Sequence, residues 1–442
     1  MKNMIKKLMK SMWALSIITV CSCTIEEVVD PNGPSVDGVE ENASKGQLNE
    51  LMVGIEATMR NGLGTEVSVS GTMARELYLF DADPRNTGDI LGKEGIGLDN
   101  NSFYSTTQWN GSYRAIKNAN LLIDAAANTE FVSEAEANGY LGAAKTLKAY
   151  ELVQILKSYG SARFDVADPD NLGPVLGFDD AIAQIRSLLD EAQTNLTGAG
   201  NSFAFPLSSG FEGFDTPATF VEFNRAVAAM AAVYAGDGNA ALTALGNSYF
   251  DLTGALDVGP KHIFGLGGGD LANPIFRVPS TEGNVNNGDQ IIVHNSWILD
   301  AEAGDARVAE KAALRPDPST QDGLTGTHET RLYASNVAPV DILRNEELIL
   351  ISAEANILAG NLQDAENALN VIRMSAALPN YSGAQTADAL TTELLVQRRY
   401  SLWSENHRMF DLRRYGLTDT LPIDRAGDRV FGVLPVPLSE NE

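Results

Sequence analysis

Ala353-Glu354-Ala355-Asn356-Ile357-Leu358-Ala359-Gly360-Asn361-Leu362-Gln363-Asp364-Ala365-Glu366-Asn367-Ala368-Leu369 decides the fold of this 442-residue chain. Slid along the sequence, it finds a partner in Ala229 to Leu245. Ala353, Ile357, Ala359-Gly360-Asn361, Ala365, Ala368 and Leu369 fall on Ala229, Val233, Ala235-Gly236-Asp237, Ala241, Ala244 and Leu245 at identical offsets. The physics is that of paired helices: glycine ends the first, Asp or Asn starts the second, and alanines let the two backbones approach.

A third pair lies upstream. Leu141, Ala144, Leu152, Ile155, Leu156 and Tyr159 share one helical face, with Gly160 where a helix would stop. Asp179 to Leu196 follows with an apolar stripe of Ile182, Ile185, Leu188 and Leu189. Helical hairpins of this kind are the pattern of tetratricopeptide repeats, and three pairs predict an irregular solenoid. Alternating strands are scarce. Between the helical blocks lie Asp81 to Asn101, Gly198 to Thr219 and Asn247 to Pro339, rich in Gly, Asn, Asp and Pro, which read as long loops. The expected fold is mainly α, a scaffold of tetratricopeptide-like hairpins with long irregular loops and little β. Gly265 to Asp270 lacks the ending of a P-loop and the full dinucleotide fingerprint, and reads as a turn.

The amino-terminal segment sets the expected compartment. Lys2, Lys6, Lys7 and Lys10 precede an apolar run from Met12 to Val20, the order of a secretory signal. That run is shorter than the ~20 residues needed to span a bilayer. Val20-Cys21-Ser22-Cys23 resembles a bacterial lipobox, which predicts cleavage after Ser22 and acylation of Cys23. Residues 1–22 are thus expected to be a signal peptide, 23–44 a lipid-anchored flexible stalk, and 45–442 one helical domain carrying loop insertions. Glu26, Glu27 and Asp30, close behind the lipid, resemble a signal for export to the outer face.

Charge and side-chain inventory exclude several classes of function. The chain has 32 basic and 58 acidic residues, a formal net charge of −26. Loss of the four signal lysines leaves 28 basic residues and a net charge of −30. Phosphate backbones would be repelled, so nucleic acid is not an expected partner. With Cys21 leaving in the signal and Cys23 acylated, no disulfide is expected. His262, His294, His328 and His407 are scattered singly, so no zinc site and no other cofactor is expected. No Gly-x-Ser-x-Gly elbow and no His-Glu-x-x-His helix is present, and no catalytic residue is assigned.

The last hundred residues carry the most specific succession: Arg344-Asn345-Glu346-Glu347 opening a helix, Leu369-Asn370-Val371-Ile372-Arg373, Gln397-Arg398-Arg399-Tyr400, Glu405-Asn406-His407-Arg408, Asp411-Leu412-Arg413-Arg414-Tyr415-Gly416, and Pro435-Val436-Pro437 with Glu440. Upstream stand Trp109-Asn110-Gly111-Ser112-Tyr113, Asn118-Ala119-Asn120 and Gly304-Asp305-Ala306-Arg307. This order resembles the RagB/SusD family of outer-membrane nutrient-binding lipoproteins. Gln397 departs from it, since the family usually has glutamate before the paired arginines. The resemblance implies a protein at the outer face of the outer membrane that captures a glycan, or in some members a peptide, and delivers it to a TonB-dependent transporter. It also implies that the helices face the transporter and the loops face the ligand.

A sugar site requires an aromatic face flanked by carboxylate, amide or arginine groups. Candidates are Trp297 with Asp300, the loop group Asp81, Asp83 and Arg85, and Trp109 with Asn110; Trp403 reads as core. The negative field favours a neutral glycan over uronate or sulfate polymers. Glu405, Arg408 and Asp411, spaced by three, are expected to form one ladder on a helix, with Arg408 bridging two ionised carboxylates, not an acid/base pair. Competing readings are a tetratricopeptide-like scaffold lipoprotein that binds only proteins, and a glycan hydrolase on a helical scaffold.

Overall fold

The computed structural model describes residues 42–166, 171–284 and 288–441. The expected signal peptide, Cys23 and nearly all of the expected stalk lie outside the described residues. Helix α1 (Lys45–Thr58) starts at Ser44, whose capping box with Gln47 satisfies orphan amides at both positions. It is followed by α2 (Leu63–Met73) and strand β1 (Leu77–Phe80). Two 26-residue helices then form a hairpin, α3 (Phe103–Asn128) and α4 (Glu134–Tyr159). Ser133 and Glu136 box the start of α4, and Gly160, at φ 68°, ends it where expected. A two-stranded pair, β2 (Ser161–Arg163) and β3 (Val175–Gly177), leads into α5 (Phe178–Thr197), which packs back on α4.

Next come α6 (Pro217–Tyr234) and α7 (Gly238–Leu245). The region that follows carries β4 (Lys261–His262), β5 (Gln290–Val293), α8 (Asn295–Leu299), α9 (Ala306–Lys311), β6 (Ala312–Gln321), β7 (Leu324–Thr330) and β8 (Val340–Asp341). The chain closes with α10 (Asn345–Ala359), α11 (Leu362–Ser375), α12 (Ala387–Ser401) and α13 (Arg408–Arg414).

The repeat is structural: α6–α7 and α10–α11 are both hairpins. Gly236 (φ 75°) and Gly360 (φ 80°) take the left-handed conformation that lets the first helix of each pair end. Asp237 caps α7 by accepting the Ala240 amide at 3.0 Å. Asn361 caps α11 without a side-chain bond. The two hairpins stack, and Gly238 is where they touch most closely. A Cβ there would lie 2.5 Å from the Ala355 carbonyl oxygen of α10. The largest apolar core runs through α1 and α3 to α6, and a smaller one fills the space between α10, α11 and α12. The fold is mainly helical with little strand, as the periodicity predicts.

One stretch differs from the sequence reading. Asn247 to Pro339 is not all loop, since it supplies three strands of a four-stranded antiparallel sheet, ordered β1-β5-β7-β6. β6 holds Pro316 and Pro318 beside a register shift between Leu314 and Ser319. Proline is tolerated there because β6 is an edge strand, and the break in alternation hid it. Under the sheet sits a second core containing Trp297, Tyr400 and Trp403. No described helix is long and apolar enough to cross a membrane.

Candidate functional site

β1 delivers the chain into the loop that begins at Asp81, and that loop is built around its own carboxylates. Asp81 accepts the Asp83 amide at 2.9 Å and the Asn86 side-chain amide at 2.8 Å. Asp83 caps the short turn Pro84–Asn86 and binds the Arg85 guanidinium at 2.6 and 2.9 Å. The Arg85 guanidinium in turn lies 4.7 Å over the Phe103 ring. Across from this loop stands the β6–β7 turn, with Asp322 (φ 50°) and Gly323 (φ 77°) in the left-handed region a tight hairpin demands. Gln321 donates to the Asp81 carbonyl at 2.9 Å. Asp322 accepts from Lys93, from Arg425 at 2.6 Å and from Thr87 at 3.3 Å.

Loop and turn enclose a cleft of about 400 Å3, into which Arg85, Asp89, Lys93, Gln321 and Asp322 face beside the apolar Pro84 and Ile96. Hydrogen bonds from Arg85 hold the Asp83 carboxyl below the usual carboxylate range, and those from Lys93 and then Arg425, outweighing burial, do the same for Asp322. The cleft therefore presents fixed charges of both signs in near balance. Such a lining can donate to and accept from hydroxyl groups, and it gives no net attraction to a strongly charged polymer.

Of the residues singled out from sequence, this cleft uses Arg85 directly, with Asp81 and Asp83 shaping it from behind. The others lie elsewhere. Trp297 sits on α8, fully buried between Tyr400 and Trp403 at ring distances of 5.1 and 5.2 Å. Its indole N–H donates to the Arg399 carbonyl at 3.4 Å. The expectation of a ligand-stacking Trp297 is corrected: α8 follows directly from β5, so the indole turns under the sheet. Asp300 is exposed but ion-paired with Arg399 at 2.9 Å. Because β1 and β5 pair with Leu77 opposite Val293 and Phe80 opposite Gln290, Asp81 and Trp297 leave opposite ends of the strand pair. Trp109 is buried against Tyr113 and Tyr159 at 4.6 and 5.0 Å, while its neighbour Asn110 is exposed on α3, outside the cleft. Trp403 is core, as expected. No described tryptophan offers a ring face to solvent.

The expected ladder of Glu405, Arg408 and Asp411 does not form. Ser404 (φ 64°) and Asn406 (φ 56°) break the chain before α13, so a spacing of three is not one helical turn there. Glu405 pairs instead with Arg344 across the fold through both carboxylate oxygens, at 2.5 and 3.1 Å. Asp411 binds Arg398 at 2.7 Å and Arg414 at 2.9 Å. Burial pushes the Asp411 carboxyl up, but the two arginines outweigh it and hold it below the usual range. Arg408, pushed down to about 10 by burial and then by Arg399, faces Glu76. Gln397 is buried and donates to Glu393 at 2.7 Å, a contact that an ionised glutamate at this position could not make. His407 is buried and lies 3.6 Å from Glu347. No cluster of three metal-ligating side chains occurs among the described residues.

Sequence reasoning missed Lys93 and Asp322. A usable signal was present: Asp322-Gly323 between two β-forming runs is a hairpin turn by composition.

The block from Arg344 to Arg425 falls within residues 324–427, which match the family model described as SusD family. Over those residues the chain resembles the SusD family. A SusD superfamily protein from Parabacteroides distasonis superposes with a TM-score of 0.69 at 17% identity, over 90% of this chain and 97% of the other. Surface glycan-binding protein A from Bacteroides thetaiotaomicron gives 0.69 at 16% identity, over 90% and 96%. NanU from B. fragilis gives 0.63 at 18%, over 93% and 97%. At such identities these likenesses show that this SusD-like chain shares their fold. No curated protein matches it in sequence.

Proposed function

We propose that this SusD-like protein is a lipid-anchored binding protein of the outer membrane, facing outward, that captures a neutral oligo- or polysaccharide and passes it to a TonB-dependent transporter. The observation that carries the reading is the cleft between the Asp81–Ile96 loop and the Asp322 turn, a set of balanced, pre-positioned hydrogen-bonding groups on a SusD-like scaffold. Arg85, Asp89, Lys93 and Asp322 are its charged ligand-facing groups. The signal peptide at 1–22, acylation at Cys23 and the tether to residue 44 belong to the same proposal.

A groove on the helices supports docking of the transporter there. Phe178, Tyr234, Leu358, Phe410, Tyr415 and Val433 line an open groove of about 640 Å3. Arg414 lies over the Tyr234 and Phe410 rings at 4.7 and 5.0 Å, which adds a rigid polar edge. Two paired observations test the proposal. Affinity electrophoresis in neutral polysaccharides should show retardation that Arg85→Ala weakens about tenfold, the loss of roughly one charge-assisted hydrogen bond. Mass spectrometry of the tagged protein, purified from gently solubilised outer membranes, should show a stoichiometric TonB-dependent transporter. Unchanged retardation in the variant would remove the cleft from the proposal. Absence of any transporter, with other membrane complexes intact, would favour the scaffold reading.

A further inference from the structure

A second pocket, of about 340 Å3, opens between α1, the segment 206–211 and β4, and shares no lining residue with the cleft at Asp322. Its volume falls at the small end of the range of roughly 300–1,000 Å3 typical of ligand sites. The walls are apolar: Val53, 53% exposed at the rim, with Ala57, Pro206 and Leu207 behind it. No aromatic face is open, since Phe211 is buried beneath.

Two polar side chains in this pocket lack the partner their chemistry calls for. Glu56 accepts the Ser208 amide at 3.2 and 3.3 Å and, among the described residues, makes no direct ion pair, Arg60 acting on it only through its charge. The cations nearby are spent elsewhere. Arg60 donates to the Ile263 carbonyl at 2.5 Å and pairs with Asp270 at 3.1 Å, and Lys261 pairs with Asp341 at 2.8 Å. His262 is 6% exposed, lines the pocket, and has no hydrogen-bond partner for its ring among the described residues. A ring nitrogen that meets no protein partner is left to a ligand or to solvent in the pocket. Burial, and then Arg60, push the imidazole down to about 3, so it is neutral, with one N–H donor and one lone pair. Burial also raises the Glu56 carboxyl above its ordinary value, which a bound cation would reverse.

We propose that this pocket binds a small amphiphilic amine, with its ammonium group against Glu56, His262 as a hydrogen-bond partner, and a compact apolar body against Val53, Ala57 and Leu207. A carboxylate ligand would meet Glu56 unfavourably, and a sugar would find no ring to stack on. The site stands independently of the glycan-binding proposal. Calorimetric titration at pH 7 with phenethylamine and with its neutral counterpart 2-phenylethanol tests it directly on the unaltered protein. The amine is expected to bind saturably and at least tenfold more tightly than the alcohol. Glu56→Gln, which keeps an acceptor for Ser208, should erase that preference, and Val53→Trp should block both compounds from the rim. Absence of saturable amine binding at millimolar concentration, equal binding of the alcohol, or an undiminished preference in Glu56→Gln would each overturn the proposal. Retardation in polysaccharide gels should be unaffected by either variant, so failure here is separable from failure of the glycan reading.

Discussion

Replacing Glu151 with glutamine should stabilise the protein, and by an amount that grows with pH. Glu151 lies in the middle of α4, 4% exposed, with no ion-pair partner among the described residues. Burial pushes its carboxyl up to about 8; a hydrogen bond from Ser112 pulls the other way and the Glu66 charge adds to the rise. In the unfolded chain the same group titrates near 4.3. The folded state therefore binds the proton more tightly, so the stability linked to this group is fully present below about pH 4, falls as pH rises, and is lost once pH has passed about 8. With ~1.4 kcal/mol per pKa unit, the wild-type protein should lose about 3 kcal/mol from this group between pH 5 and pH 8. Glutamine keeps an acceptor for Ser112 and does not titrate. Urea denaturation of both proteins at pH 5, 6, 7 and 8 isolates the effect, because titrating groups that do not interact with Glu151 cancel in the difference, leaving its coupling to Glu66 as part of the signal. The gap between variant and wild type should widen in the variant's favour across the series. A gap that stays flat within about 1 kcal/mol would refute the assignment of a neutral, buried carboxyl.

Other expectations concern packing and pairing. Arg398→Ala removes the fully buried partner of Asp411 and should cost about 3–5 kcal/mol in denaturant unfolding, because a buried carboxylate is left with Arg414 alone. Gly238→Ala should cost about 1–3 kcal/mol, since the new methyl meets the Ala355 carbonyl and the Leu358 side chain where the two hairpins stack. Arg85→Ala should leave the melting temperature nearly unchanged while weakening retention in polysaccharide gels, as its pair with Asp83 is exposed.

What could be read from sequence, and what could not, divides by the range of the interactions involved. The hairpins are legible because their determinants are local: Gly160, Gly236 and Gly360 mark helix ends by conformation, and Asp237 and Asn361 mark the starts that follow the last two. The sheet is not, because β1 pairs with β5 across more than two hundred residues and β6 carries prolines that only an edge position excuses. Trp297 looked like a loop aromatic because its surroundings in sequence are polar. Its neighbours in space, Tyr400 and Trp403, are a hundred residues away. The spacing of Glu405, Arg408 and Asp411 was read as helical, and two left-handed residues, neither of them glycine, undid that reading. In the cleft the Asp81–Arg85 side was visible because Asp and Pro write turns locally. The opposite wall was hidden, because Asp322 gains its meaning only when Lys93 and Arg425 arrive from both ends of the chain.

The Asp322 turn joins a hairpin whose two strands lie at one side of the sheet, β6 at its edge. Residues can be added to or removed from that hairpin tip without shifting the register of any helix pair. The same alteration would change the width of the cleft and the reach of the carboxylate at its mouth. If the proposed cleft is the ligand site, ligand choice and structural integrity are written in separate parts of the chain, so selection can retune the cleft while the helical frame stays as it is.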